Sequence, residues 1–547
     1  MKIRKVDSKM TSDTSKNLIY QKLSFIDNSI KDNIQKDLLI YGDLLIPYLL
    51  ITYQLIRDIN NTFIKLSSQS INTTDTAINI LISYYSKKAD LSKLQKDFRS
   101  QFKIGTEMNN YLTEICKYSH FSTCFQAFKK DRYTCNFDSE NTLIFNHTNL
   151  QIDNYKLESW YSNNPEKLTI TNAAKRCKQR FEKKLFDLVK KRSNIYLIKS
   201  IETYEKQLFN ELLGYFLETY IWFDLELSNG LYAVLDFQKV WLYLTFQCLL
   251  QKYNNKNLLL IYFFKSDLVN HCSLITGIHP SIVSCVINDI TYNASENNAY
   301  TNFQRTPLFL STDDYIYTAP SLMSSINSEV VLEKTWKIKY PVYDSYHTNV
   351  IEPLMCNNLA HLFCKFRRYM VVTPKQHYPY KGTSVQIDVL IFDKTEESLL
   401  IVEAKDHLSP TGTLELVRQD SVEKSILYKE KGAVSQLIRQ ESFIRDTSIL
   451  ESIFGEKINV KYVLKGICEK SYVGTNSLYE NLNTKNIAFF PYYLLLNSEL
   501  LLNNGLMFIH DYFINKKFIV DGKYEVGIET AELYGYKISF PLFFIDN

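Results

Sequence analysis

Two short β-branched apolar runs, Val385 to Phe392 and Leu399 to Lys405, carry charge where a buried strand has little room for it. The polar segment Asp393 to Ser398 between them can turn the chain, so the pair reads as two adjacent antiparallel strands. Asp388 interrupts the first run and Glu403-Ala404-Lys405 closes the second. A side-chain period of two puts Glu403 and Lys405 on one face and Ala404 on the other, with Asp388 in reach from the neighbouring strand. Two carboxylates and one ammonium then meet at the end of an apolar sheet, and burying them uncompensated is costly. A hard divalent cation resolves the conflict, because Mg²⁺, or Mn²⁺ in its place, takes one or two carboxylates and leaves its other positions to water and substrate phosphate. Asp388 and Glu403 are therefore the predicted metal ligands, and Lys405 the group that orients an attacking water or offsets charge on the phosphorane. The competing reading is a strand-end salt bridge in a nonenzymatic domain. A second Glu-x-Lys, Glu182-Lys183-Lys184, lies in a stretch of helical spacing where the two side chains diverge.

These residues resemble the PD-(D/E)xK nuclease superfamily, with Ile387-Asp388 in place of Pro-Asp and Glu403-Ala404-Lys405 as the (D/E)xK. The likeness spans Tyr340 to Asn497 and includes the superfamily's order of helix, strand, acid-bearing strand, (D/E)xK strand, helix and strand. Val350 to Arg367 reads as the first helix, Tyr369 to Gln376 as an extended segment, Val422 to Arg445 as the later helix and Val460 to Ile467 as the last strand. The resemblance implies a further catalytic acid on the first helix, matched by Glu352, whose position before Pro353 suits a helix's first turn. It also implies a glutamine after the (D/E)xK strand, matched by Gln436 or Gln440. The implied activity is Mg²⁺-dependent endonucleolytic hydrolysis of phosphodiester bonds, with DNA ahead of RNA as substrate, in a defence-system or mobile-element effector. A noncatalytic nucleic-acid platform or scaffold with the same fold is the alternative. A homo-oligomer or partner protein is consistent with such a nuclease, although no coiled-coil heptads are visible.

A chain of 547 residues is too long for one hydrophobic core. Gly and Pro number only 15 and 12, which favours long helices over turn-rich β architecture. The expected protein is α+β and multidomain: a mainly helical region over 1–260, a winged-helix-like segment over 261–330, and a restriction-endonuclease-like domain over 340–547 with a mixed sheet flanked by helices. Amphipathic stretches at Ile30 to Ile64, Thr76 to Phe102 and Ile201 to Lys252 build the first region. Leu44 to Ile56, interrupted by Pro47, is too short to span a bilayer and reads as a buried helix. Met1 to Lys16 lacks the apolar core of a secretory signal, so a cytoplasmic protein with no membrane partner is expected. Ser266 to Ile275, the turn Thr276-Gly277, Pro280 to Thr291 and a hairpin of Thr306 to Leu310 with Tyr315 to Thr318 resemble a winged helix. Its second helix offers Ser281, Ser284, Asn288 and Asp289 where base-reading side chains would stand. No phosphate-binding GxxxxGK[ST] loop and no GxSxG elbow occurs, which removes support for an ATPase, kinase or serine hydrolase.

A net charge of +4 does not announce a nucleic-acid binder, but Lys175 to Arg192 holds nine basic residues against Glu182 and Asp187. Cys177, Phe181, Leu185 and Leu188 give that stretch an apolar stripe, leaving Lys175, Arg176, Lys183, Lys184, Lys190 and Lys191 as candidate phosphate contacts. The ten cysteines form no CxxC pair or disulfide framework and read as free thiols. Cys116, His120, Cys124 and Cys135 match no common zinc spacing and are expected to pack in a core.

Overall fold

The computed structural model describes residues 3–41, 45–62, 74–82, 106–138, 141–149, 201–217, 225–256, 258–293, 303–311, 314–325, 328–374, 377–407, 415–430, 432–446, 448–470, 475–492, 499–516 and 524–545, with single residues 152, 183, 187 and 495. The chain is α+β, with a helical N-terminal region and a mixed five-stranded sheet near the C-terminus. It divides into two compact units, one built from 1–146, 173–343 and 528–540, the other from 147–172, 344–527 and 541–547.

The first unit contains α1 (Ile3–Tyr41), α2 (Leu45–Thr62), α3 (74–82), α4 (Thr106–Lys129), α5 (Ile201–Leu217) and α6 (Val234–Asn254), with the strands β1 (Tyr133–Phe137) and β2 (Leu143–His147) after α4. The amphipathic stretch over Ile201 to Lys252 contains the two helices α5 and α6, with a bridged turn between Ser228 and Ala233 ahead of α6. Leu45, Ile46, Leu49 and Leu50 are buried, as the apolar run in α2 requires. Among the described residues no helix is long and apolar enough to cross a membrane. After α6 come β3 (Ile261–Phe264), α7 (Lys265–Thr276), α8 (Pro280–Asp289), β4 (Phe309–Leu310) and β5 (Tyr315–Thr318). Gly277 ends α7 in the left-handed conformation, at φ 73°, and Pro280 opens α8. The helices and hairpin match the sequence expectation. The pairing of β3 with β5, which completes a sheet ordered β3-β5-β4, lies outside it. Two helices, α9 (Pro320–Ser325) and α10 (Ser328–Lys339), close the unit's central stretch.

The second unit opens on a helical stretch in three parts: α11 (Val342–Tyr346), a π turn over His347–Ile351, and α12 (Glu352–Cys364). Its sheet is ordered β12-β11-β10-β9-β6, from β6 (Tyr369–Val372), β9 (Val389–Asp393), β10 (Ser398–Lys405), β11 (Tyr462–Glu469) and β12 (Ile487–Pro491). β9 is antiparallel to both its neighbours, β6 and β10, whereas β10, β11 and β12 run parallel. Between β6 and β9 the chain makes a separate hairpin, β7 (Tyr378–Tyr380) with β8 (Thr383–Val385). The predicted helix over Val422 to Arg445 is instead two, α13 (Glu415–Leu427) and α14 (Ala433–Asp446). Gly432 permits the break, because a Cβ there would stand 2.3 Å from the Ser425 carbonyl oxygen. Helices α15 (Ile449–Phe454), α16 (Asn476–Asn483), α17 (Glu499–Asn503) and α18 (Leu506–Ile514) complete the unit. The C-terminal strands β13 (Tyr524–Leu533) and β14 (Tyr536–Ile545) join β1 and β2 in a sheet ordered β1-β2-β14-β13.

The antiparallel pairing of β9 with β10 was expected, and Asp393 fixes its turn. Fully buried, Asp393 accepts the Thr395 and Glu396 N–H groups on Oδ1, at 2.9 and 3.3 Å. Its Oδ2 pairs with Arg368 Nη2 at 2.7 Å and accepts the Leu506 N–H at 3.3 Å. Gly505 lies against this knot at φ +99°, where any Cβ would strike Glu396 and Arg368. Removing one partner of a buried charge pair leaves the other uncompensated. Asp393→Ala is therefore expected to destabilise the second unit by about 3 kcal/mol. Urea unfolding followed by circular dichroism measures this.

Candidate active site

The last paired rung between β9 and β10 is Val389 with Val402. Asp388 stands just beyond it, in a bend before β9 and not inside a strand. The run Val385 to Phe392 is thus broken, since Val385 ends β8 and residues 386–388 cross to the sheet. Asp388 leaves the ladder because its own carboxylate replaces the missing backbone partner: Oδ2 accepts the Ala404 N–H at 2.9 Å. Glu403 and Lys405 share one face as alternation demands, with Lys405 Nζ 2.6 Å from Glu403 Oε1. Glu403 is 2 % exposed. Burial first, and then the Asp388 charge, push its carboxyl up to about 7 against the pull of Lys405 and Gln440. Burial likewise raises Asp388, opposed by Lys405 and by the Ala404 N–H. Burial alone would lower the Lys405 ammonium, but Glu403 and Asp388 outweigh it and hold the group above its ordinary value.

Glu352 joins this group. Its carboxyl is raised by burial, with Lys405 and His347 acting against the rise and Asp388 adding to it. As expected, it lies with Pro353 in the first turn of its helix, α12, although that helix continues an earlier turn. The π turn precedes it, and its own N–H reaches back five residues to the His347 carbonyl. Pro353 has no N–H to return to the preceding turn, and the widened turn absorbs that loss. Of the two candidate glutamines, Gln440 reaches the site. Its Nε2 donates to Glu403 Oε2 and to the Gln386 carbonyl, both at 2.8 Å. Gln436 lies one turn earlier on α14, and its Oε1 is buried without a hydrogen-bond partner.

Five residues that sequence reasoning passed over surround the trio. Glu469, fully buried, is opposite Lys405 in the parallel register of β10 and β11. It accepts the His407 N–H at 3.2 Å and pairs with the His407 ring at Nδ1, 2.5 Å away. Lys470 Nζ lies 3.2 Å from Asp406 Oδ2, with both side chains almost wholly buried. His347 Nε2 is 2.9 Å from the Asp406 carbonyl, while its Nδ1 is 3.9 Å from Glu352 Oε1. Alternation carried two residues past Lys405 would have pointed to His407, and the adjacent Glu469-Lys470 ends the next strand. Burial raises the Glu469 carboxyl against His407. The His407 ring, which burial alone would lower, is held up by Glu469.

Hard oxygen donors from Asp388 and Glu403, in a corner where desolvation disfavours their charge, suit a divalent cation. Among the described residues no group of three or more His, Cys, Asp or Glu side chains is arranged to hold a metal. Such an ion would rest on two carboxylates, with water and phosphate oxygens supplying the rest. Of the predicted phosphate contacts, Lys183 is an exposed helical residue, whereas Lys175, Arg176, Lys184, Lys190 and Lys191 lie outside the described residues. Cys116, His120 and Cys124 lie on α4 and Cys135 on β1. Cys124 and Cys135 are buried, and the His120 ring stacks on Phe540 at 4.6 Å. No protein-family model, curated protein or solved structure matches the chain.

A carboxyl whose folded pKa is raised contributes stability that is complete below its ordinary value and lost as pH rises through the folded one. For Glu403 that window runs from 4.5 to about 7. Lys405 is the cation that limits the loss. In metal-free protein, Lys405→Met is expected to cost little at pH 5 and on the order of 3 kcal/mol at pH 8. Urea titrations of both proteins at the two pH values test the sign.

Proposed function

We propose that the second unit is a metal-dependent nuclease of the PD-(D/E)xK kind, hydrolysing phosphodiester bonds, with DNA as the leading substrate and RNA as the alternative. The observation that carries this reading is the meeting of Asp388, Glu403 and Lys405 at one strand end, with Gln440 donating to Glu403. The order α12, β6, β9, β10, α13–α14, β11 supports it, because the first helix packs on β6, β9 and β10, with Asp388 at the entry to β9 and the (D/E)xK residues ending β10. In this reading Asp388 and Glu403 hold Mg²⁺, which when bound polarises the phosphate and lowers the pKa of a coordinated water. Lys405 orients the attacking water and offsets charge as the phosphorane forms. Glu352 adds a third acid beside Lys405, and Gln440 fixes the orientation of Glu403. No covalent intermediate with the protein is required.

In the first unit, the order helix, strand, helix, helix, strand, strand and the sheet order β3-β5-β4 support a winged-helix-like reading of α6 to β5. The last turn of α8 faces inward, since Asp289 accepts the Tyr232 and Tyr340 hydroxyls at 2.7 and 2.6 Å. That burial favours a packing role for this helix over base reading.

Purified protein is expected to cut DNA with Mg²⁺ or Mn²⁺. Lys405→Ala should retain binding in a gel-shift assay and lose cleavage. Asp388→Asn and Glu403→Gln should also lose the metal-induced rise in melting temperature. Wild-type protein that binds no divalent ion by calorimetry and leaves single-stranded DNA, duplex DNA and RNA intact would overturn the reading, in favour of a noncatalytic platform held by the Lys405 ion pair.

A further inference from the structure

We propose that Glu469, through His407, is a positioning residue for Lys405, an inference that rests on the nuclease reading for its kinetic consequence but not for its geometric one. Lys405 is the last residue of β10, and a strand-end side chain is held only as well as the backbone that follows it. Here that backbone is clamped. The Lys470 N–H donates to the Lys405 carbonyl at 3.1 Å. One buried carboxylate, Glu469, takes both the N–H and the ring of His407, two residues beyond Lys405. The ring's other nitrogen, Nε2, is 3.2 Å from Ser425 Oγ, which ties the same turn to α13. Between the two, Asp406 is fixed by Lys470 and by His347.

Stability alone does not account for this arrangement. The buried Lys470–Asp406 ion pair and the buried Glu469 carboxyl beside His407 carry a desolvation cost that apolar side chains of equal volume would avoid. Asp406 Oδ1, moreover, is buried with no hydrogen-bond partner. Directional bonds on every residue from 405 to 407 do what apolar packing cannot: they fix the azimuth of the strand end, and with it the line along which Lys405 Nζ meets Glu403. Supporting groups of this kind typically change activity about 10- to 100-fold when removed.

The test uses the full-length chain and the variants Glu469→Gln, His407→Ala and His407→Asn, the last of which keeps a donor near the place of Nδ1. Reactivity of the Lys405 amine is read by competitive acetylation and mass spectrometry, and cleavage by steady-state kinetics. In Glu469→Gln and His407→Ala, Lys405 labelling should rise severalfold and kcat should fall about 10- to 100-fold with KM unchanged. His407→Asn should remain near wild type in both. Unchanged Lys405 labelling in folded Glu469→Gln and His407→Ala overturns the proposal, whatever happens to cleavage. Should Glu469→Gln fail to fold, the two His407 variants decide alone. A rise in labelling in a protein that cleaves nothing would sustain the positioning role while removing the nuclease reading. Cleavage by wild type with no labelling response would do the reverse.

Discussion

A single ammonium holds together a corner of protein in which three carboxyl groups are short of water. Lys405 meets Glu403 directly and acts on Asp388 and Glu352 through their charges, and burial drives all three carboxyls toward their neutral forms. Lys405, assisted among the described residues only by the His347 ring near Glu352, leaves three acids poorly balanced whenever they ionise. Such a mismatch differs from a salt bridge built only for stability, which would match its charges one to one, and in the proposed reading a small hard cation relieves it.

The sheet delivers these groups by ending at the right places. β9 stops at Val389 so that Asp388 can turn its carboxylate onto the Ala404 N–H, and β10 continues to Lys405 beside the parallel strand β11. At the opposite end of β9, Asp393 and Arg368 hold the turn into β10. Register is therefore fixed from both ends, and a slip of one residue would send Glu403 and Lys405 to the wrong face.

Much of this was legible from the chain because it depends on local pattern. Two short apolar runs with a polar hexapeptide between them can hardly be anything but a strand pair, and alternation puts Glu403 with Lys405. What failed depended on partners distant in sequence. The crossing at residues 386–388 is set by the Gln440 bond to the Gln386 carbonyl and by the Ala404 N–H, neither visible in the run itself. Choosing Gln440 over Gln436 needed the placement of α14 on the sheet, since both lie at helical spacing. The ring of His347, Asp406, His407, Glu469 and Lys470 was missed because its members come from three separate segments, two joined by the parallel pairing of β10 and β11 and the third, His347, brought in by the π turn before α12. The third strand of the β3-β5-β4 sheet escaped for the same reason.

The π turn at His347–Ile351 has an evolutionary corollary. Residues five apart fall on different faces of a regular α-helix, yet here His347 and Glu352 face one another. The widened turn takes up one extra residue, so that they face as residues four apart do in a regular helix. Excising it would restore ordinary winding with the pair four apart and still on one face, whereas excising a residue from regular α12 would swing everything upstream by about 100°. Loss of one residue should thus be absorbed at this turn, whereas the regular helix beyond it should accept exchanges of one side chain for another but no change in length.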